Sequence, residues 1–143
     1  MTIMLVFEFI EKPDLSQIQE ITALYRLAGW WKPEQPDDPQ MVFGLISGSH
    51  CFLAVRMDGR ITAMGRALSD GASDAYIQDV MVHPELRGQR IGTRIVQKLV
   101  DRLHHDGICW IGLIAERGSC TFYEKIGFDR MPNAVPMLMS DEF

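Results

Sequence analysis

The spacing of hydrophobic positions changes several times along the chain, and each change marks an element. Ile3 to Phe9 is rich in β-branched and aromatic residues and stops before Lys12-Pro13-Asp14, which predicts a strand. From there Leu15, Ile18, Thr22, Tyr25 and Ala28 recur at helical spacing. Asp14 with Gln17 three residues on predicts a capping box for that helix, and Gly29 predicts its stop. Trp30-Trp31-Lys32-Pro33 and the run to Pro39 read as a loop. A short helix from Pro39 to Leu45 follows, closed by Ser47-Gly48-Ser49.

Alternation replaces the helical period in the middle of the chain. Cys51 to Met57, then Asp58-Gly59, then Arg60 to Leu68 predicts a hairpin, because Asp-Gly suits the positive φ angles of a tight turn. Ala75 to Val82 gives the next strand, so three consecutive strands should meander antiparallel. A helix is predicted from Ile91 to His105, with Ile91, Ile95, Leu99 and Leu103 at intervals of four and Arg94, Gln97, Lys98, Asp101 and Arg102 turned outward. Gly107 ends it. Cys109 to Ala115 reads as a buried strand, Ser119 to Ile126 as a short helix stopped by Gly127, and Phe128 to Met139 as one or two strands held to an edge by Pro132 and Pro136.

Composition narrows what such a chain does. Its 143 residues fit one domain, residues 1–143, on a prior of roughly 150 residues each. Hydrophobic residues at 47% and charged residues at 23% suit a soluble globular fold. The net charge of −5 argues against a nucleic-acid partner. No export signal or membrane span is legible, so the expected location is cytoplasmic. Three widely spaced cysteines, isolated His50 and His83, and adjacent His104 and His105 that point to different sides of any helix suggest neither a disulfide framework nor a metal site.

The chemistry concentrates where the strand ending at Val82 gives way to the helix starting at Ile91. His83-Pro84 ends the strand, a glycine-containing loop follows, and Gly92 lies in the first helical turn, so backbone amides converge at the positive end of a helix dipole. Arg87, Arg90 and Arg94 add positive charge in an otherwise acidic chain. No Gly-Lys-Ser/Thr and no G-x-G-x-x-G is present, so neither a P-loop nor a dinucleotide fingerprint explains this anion site.

Arg87-Gly88-Gln89-Arg90-Ile91-Gly92 resembles motif A of the GNAT acyltransferase superfamily, Arg/Gln-x-x-Gly-x-Gly/Ala, with Arg90 where the first glycine usually stands. Downstream, Phe122-Tyr123-Glu124-Lys125-Ile126-Gly127-Phe128 resembles motif B. The order β-α-α-β-β-β-α-β-α-β is also similar to that superfamily's. The resemblance implies an α/β (α+β) fold: a mixed, mostly antiparallel, splayed sheet of six to seven strands flanked by about four helices. It implies an N-acetyltransferase using acetyl-CoA and no metal, acting on a small-molecule or peptide amine. A homodimer is compatible with it, and no membrane partner is implied. The alternative of another class is a non-catalytic CoA-binding sensor or scaffold.

Residue by residue, the resemblance implies that the loop amides of Arg87, Gly88, Gln89, Arg90, Ile91, Gly92 and Thr93 hold the CoA pyrophosphate. The preceding strand, Val80, Met81 and Val82, would line the pantetheine, with the backbone of Val80 and Val82 pairing with its amides. Tyr123 would protonate the leaving thiolate. Tyr76 and Gln78 would face the acceptor, and Tyr25, Trp30 and Trp31 would cover it, with core capping as the competing role of the tryptophans. Asp79 is the ionisable neighbour for base chemistry. Strict alternation points it to the wrong face unless a bulge near Val80 re-aims it.

Overall fold

A computed structural model of the chain describes residues 4–139. It divides into two compact units, one ending at Leu113 and the other beginning at Ile114. The first unit runs β1 (Leu5–Phe9), α1 (Leu15–Leu27), α2 (Pro39–Gly48), β2 (Cys51–Met57), β3 (Arg60–Ser69), β4 (Asp74–Val82), a 3-10 turn (Pro84–Leu86), α3 (Ile91–His105) and β5 (Trp110–Leu113). Ile3, assigned to the first strand from sequence, lies outside the described residues.

One sheet carries the unit, in spatial order β1-β2-β3-β4-β5. The predicted meander is present: β2, β3 and β4 pair antiparallel, β1 joins β2 antiparallel, and only β4 and β5 run parallel. Alternation splits the residues of each strand between two layers. Phe52, Ala54, Ile61, Met64 and Met81 pack with Ile18, Ile21, Leu24, Tyr25, Val42 and Ile46 of α1 and α2. On the other face α3 buries Ile91, Ile95, Val96, Leu99 and Leu103, each side chain contributing about 1.5–3 kcal/mol on the usual transfer scale.

The caps follow the residues that predict them. Asp14 and Gln17 form the reciprocal capping box of α1, at 2.8 and 2.9 Å, and Asp38 accepts from the amides of Gln40 and Met41 at the start of α2. The outward face of α3 is more engaged than its pattern suggests. Arg94 lies 4.2 Å above the Phe7 ring, Lys98 reaches the same ring at 5.3 Å, and Arg102 lies 4.9 Å above Phe9. These stems and heads cover the aromatic side of edge strand β1.

Two expectations are corrected. The described residues contain five strands, not six to seven, because Phe128 to Met139 forms none. Pro132 and Pro136 remove two amide donors from that segment, and Met137, Leu138 and Met139 stay about nine-tenths exposed. Nor is the fifth strand buried: it is four residues long, half-buried at Ile111 to Leu113 and exposed at Trp110.

The second unit holds α4 (Cys120–Ile126), ended by Gly127 at φ 118°. Phe122, Tyr123 and Phe128 form an edge-to-face chain of rings, with centroids 4.9 and 5.9 Å apart. No helix among the described residues is long and apolar enough to cross a membrane.

Candidate active site

The β4–α3 junction is built from backbone. The His83 amide donates to the Thr62 carbonyl at 2.9 Å, fixing the end of β4, and the turn Pro84–Leu86 buries Leu86 beneath the loop. Gly88 then takes φ +84°, which favours glycine, and a Cβ there would meet nothing within 4 Å. Arg90 is the N-cap of α3 in the left-handed region at φ 61°, a conformation that costs a non-glycine residue about 1–2 kcal/mol. No side chain caps this helix, unlike α1 and α2. The Arg94 amide returns to the Arg90 carbonyl at 3.1 Å, while those of Ile91, Gly92 and Thr93 have no preceding turn to accept them.

Open amides, a positive dipole end and exposed Arg87 and Arg90 form a donor set that fits a diphosphate. Of the three arginines, Arg94 is committed to Phe7, and Arg87 Nε leans toward the Val82 carbonyl at 3.4 Å. Among the described residues no group of three His, Cys, Asp or Glu side chains could hold a metal ion.

Beside this cradle the sheet opens. β4 pairs with β5 only from Asp74↔Trp110 to Ile77↔Leu113, so Gln78 to Val82 have no β5 partner. The edge of β4 left open there includes Val80 and Val82, the two positions whose backbone was expected to meet pantetheine. Met81 points its side chain into the α1–α2 core, at 5% exposure, and has only backbone to offer.

The same stretch carries a β-bulge. Register runs Arg66↔Gln78 and then Met64↔Met81, so Gly65 faces both Asp79 and Val80. Asp79 absorbs the extra residue at φ 57°. Gln78, paired with Arg66, and Asp79 therefore lie on the same face of the sheet, the face of α1 and α2. Asp79 Oδ2 accepts from the Tyr25 hydroxyl at 2.6 Å and from Arg66 Nε at 2.6 Å. The condition that the sequence left open, a bulge near Val80, is met.

Tyr25 is 3% exposed and stacks on Trp31 with centroids 4.4 Å apart, while Trp30 meets it edge-on at 5.8 Å. Both tryptophans pack against the α1–α2 core, so core capping describes them and Trp31 also walls in the Tyr25 ring. Burial first, then the Asp79 charge, push the Tyr25 phenol far above its ordinary range and keep it a donor. Tyr76 is 47% exposed and meets Trp110 edge-to-face at 5.3 Å. Their rings lie over Gly112, the residue paired with Tyr76 across the strands, where a Cβ would stand 2.9 Å from the indole.

In the second unit Tyr123 is half-buried on α4 and burial raises its hydroxyl above the usual phenol range, so it stays protonated through neutral pH. Glu116 is exposed and gives its carbonyl to the amide and hydroxyl of Ser119.

The profile of the family described as "Acetyltransferase (GNAT) family" matches residues 15–128. The chain belongs to the GNAT acetyltransferase family. Among its relatives, GCN5-related N-acetyltransferase 2, chloroplastic, of Arabidopsis thaliana is 38% identical over 80 residues, which are 56% of this chain and 31% of the relative. Serotonin N-acetyltransferase 2, chloroplastic, of rice (Oryza sativa subsp. japonica) is 36% identical over 77 residues, 54% of this chain and 38% of the relative. The aligned stretch is thus well under half the length of either relative.

Two solved structures share the GNAT fold with this chain. An acetyltransferase of the GNAT family from Streptococcus pneumoniae superposes with a TM-score of 0.77 at 19% identity, covering 98% of this chain and 100% of that one. A structure from Clostridium acetobutylicum described as a predicted acetyltransferase with acetyl-CoA gives 0.73 at 18% identity, covering 94% and 96%.

Two residues of the candidate site escaped the sequence reading. Arg66 sits on β3 between Gly65 and Ala67, which face α3, and a charge inside an otherwise apolar strand was the available signal. Trp110 was masked by the apolar run around it, and its exposure shows only once β5 is seen at the sheet edge.

Proposed function

We propose that this chain transfers an acetyl group from acetyl-CoA to a primary amine of a small molecule or protein, by direct attack in a ternary complex. One observation carries the reading: a single strand, β4, carries a bulge with Asp79 and leads, through the Pro84–Leu86 turn and the loop after it, to the uncapped start of α3. The two halves of such a reaction, an anionic donor and an amine acceptor, thereby have neighbouring places on one element.

The amides from Gly88 to Thr93, with Arg87 and Arg90, would hold the diphosphate. The open edge of β4 at Val80 and Val82 would pair with the pantetheine arm. The bound donor supplies a thioester whose carbonyl carbon is open to an amine. Tyr123 is the proposed proton source for the departing thiolate, its phenol being kept protonated through neutral pH by burial. On the acceptor side, Gln78 and the exposed Tyr76–Trp110 pair form one wall and Asp79 the charged end. A flat amine suits such a wall, and the rice relative carries the name of a serotonin N-acetyltransferase.

A panel of primary amines incubated with acetyl-CoA, followed by release of free thiol, tests the proposal. Turnover of any amine above the rate without enzyme supports it. Tight CoA binding with no thiol release from any amine would instead favour a sensor or scaffold.

A further inference from the structure

Two elements converge on one oxygen of Asp79, and a third braces one of them. Tyr25 donates from α1, its ring held by Trp31. Arg66 Nε donates from β3, and its Nη1 reaches 3.4 Å to Ser49 Oγ at the C-cap of α2. The Arg66 side chain is 11% exposed, so it is fixed along its length. Both short bonds end on Oδ2. Oδ1 has no donor among the described residues, and since no buried side-chain oxygen there lacks a partner, Oδ1 is open to solvent.

A carboxylate gripped by one oxygen and open at the other has a set direction and unused acceptor capacity. A guanidinium can engage both oxygens of a carboxylate at once. Here only Nε is used on Asp79, and Nη1 turns to Ser49. Building on the acetyltransferase reading, we infer that Arg66 is a positioning residue which, with Tyr25, turns Asp79 Oδ1 toward the acceptor and makes it the seat of a protonated alkylamine. Once the ammonium proton has passed to water, Oδ1 still accepts an N–H from the neutral amine and keeps its lone pair directed. The site therefore prefers amines that arrive charged over those that arrive neutral.

Positioning and simple charge balance predict opposite results for Arg66. If Arg66 only neutralises Asp79, its removal leaves a stronger anion and tighter amine binding. If it aims the carboxylate, removal weakens binding despite the lost positive charge.

The test uses benzylamine, charged at neutral pH, and aniline, neutral there, with the whole chain and Asp79→Asn, Arg66→Ala and Arg66→Lys. Benzylammonium binding in the presence of CoA is measured by calorimetry, and thiol release is measured with both amines. Asp79→Asn and Arg66→Ala should each weaken benzylammonium binding by about tenfold or more, the scale of a lost charge-assisted hydrogen bond. CoA affinity should hold, aniline turnover should fall far less, and Arg66→Lys should recover part of the binding. CoA affinity also verifies that the variants fold. Tighter benzylammonium binding by Arg66→Ala, equal losses for both amines, or no binding by the unaltered chain would overturn the inference. Arg66-dependent amine binding without thiol release would leave it standing and sink the acetyltransferase reading instead.

Discussion

Gly65 on β3 and Ile95 on α3 are so close that a Cβ at position 65 would stand 2.7 Å from Ile95 Cγ2, with Leu99 Cδ1 at 3.1 Å and Val80 Cγ2 at 3.4 Å. The glycine lies opposite the bulge at Asp79 and Val80. Its missing side chain lets α3 seat against the sheet where the bulge bends β4. Gly65→Ala should lower stability by about 1–3 kcal/mol, the usual range for an overfilled core, and Gly65→Val by more. Thermal melts of the two variants check this. A melting temperature unchanged in both would show that α3 shifts freely and that its seat does not fix the bulge.

Much of this fold was legible because local signals and tertiary packing agree. The extent of α3 agrees with the sequence reading, since its apolar stripe, the glycine two residues after its last turn and the helix-compatible residues between them all point the same way. The capping box at Asp14 and the Asp58-Gly59 hairpin are similarly local. The tail was misread because a strand needs a partner as well as apolar residues. For the candidate site, motif spacing pointed to the anion cradle, while the acceptor-side residues followed from the resemblance and their hydrogen bonds to one another did not. The clamp joins residues 54 and 13 positions apart through a register shift, and no periodicity records a register shift.

The phosphate end of the site gives a direct test. Gly92 lies in the first turn of a helix that no side chain caps. Gly92→Glu places a negative charge and bulk among the amides proposed to bind diphosphate, and it also satisfies the helix dipole from within. CoA affinity should fall by about tenfold or more while the melting temperature holds or rises. Titration calorimetry with CoA reads the first effect. Undiminished affinity would place the diphosphate elsewhere.

Cys51 and Cys109 should differ sharply as nucleophiles. Cys109 is exposed, whereas Cys51 is 6% exposed and its thiol is pushed up to about 11, chiefly by burial, with Arg102 opposing and Asp106 assisting. At pH 8 iodoacetamide should modify Cys109 well before Cys51, as read by peptide mass spectrometry. The folded chain favours the protonated thiol, so its contribution to stability is complete below the ordinary value of 9.0 and is lost as pH rises toward 11. That loss amounts to roughly 2–3 kcal/mol. Melts of the unaltered chain and Cys51→Ala at pH 8 and pH 11 should diverge accordingly. Rapid labelling of Cys51 in the native state would contradict the burial.

Tyr123 tests the chemical step apart from binding. Its hydroxyl is held above the ordinary phenol range by burial and makes no hydrogen bond among the described residues, while its ring is set by Phe122 and Phe128. Tyr123→Phe keeps that ring packing and removes only the proton, so folding and CoA affinity should be nearly unchanged. If the hydroxyl protonates the leaving thiolate, kcat should fall by about a hundredfold or more, the range for a general acid. KM for the amine should stay within about twofold, because the hydroxyl acts in the transition state and not in acceptor binding. The advantage of the acid lasts while the phenol keeps its proton. The deficit of the variant should therefore persist past pH 9 and shrink only as pH climbs through the raised phenol range, and a pH profile of thiol release measures it. Equal kcat in the two proteins across that range would remove Tyr123 from the reaction and leave it a packing residue of α4.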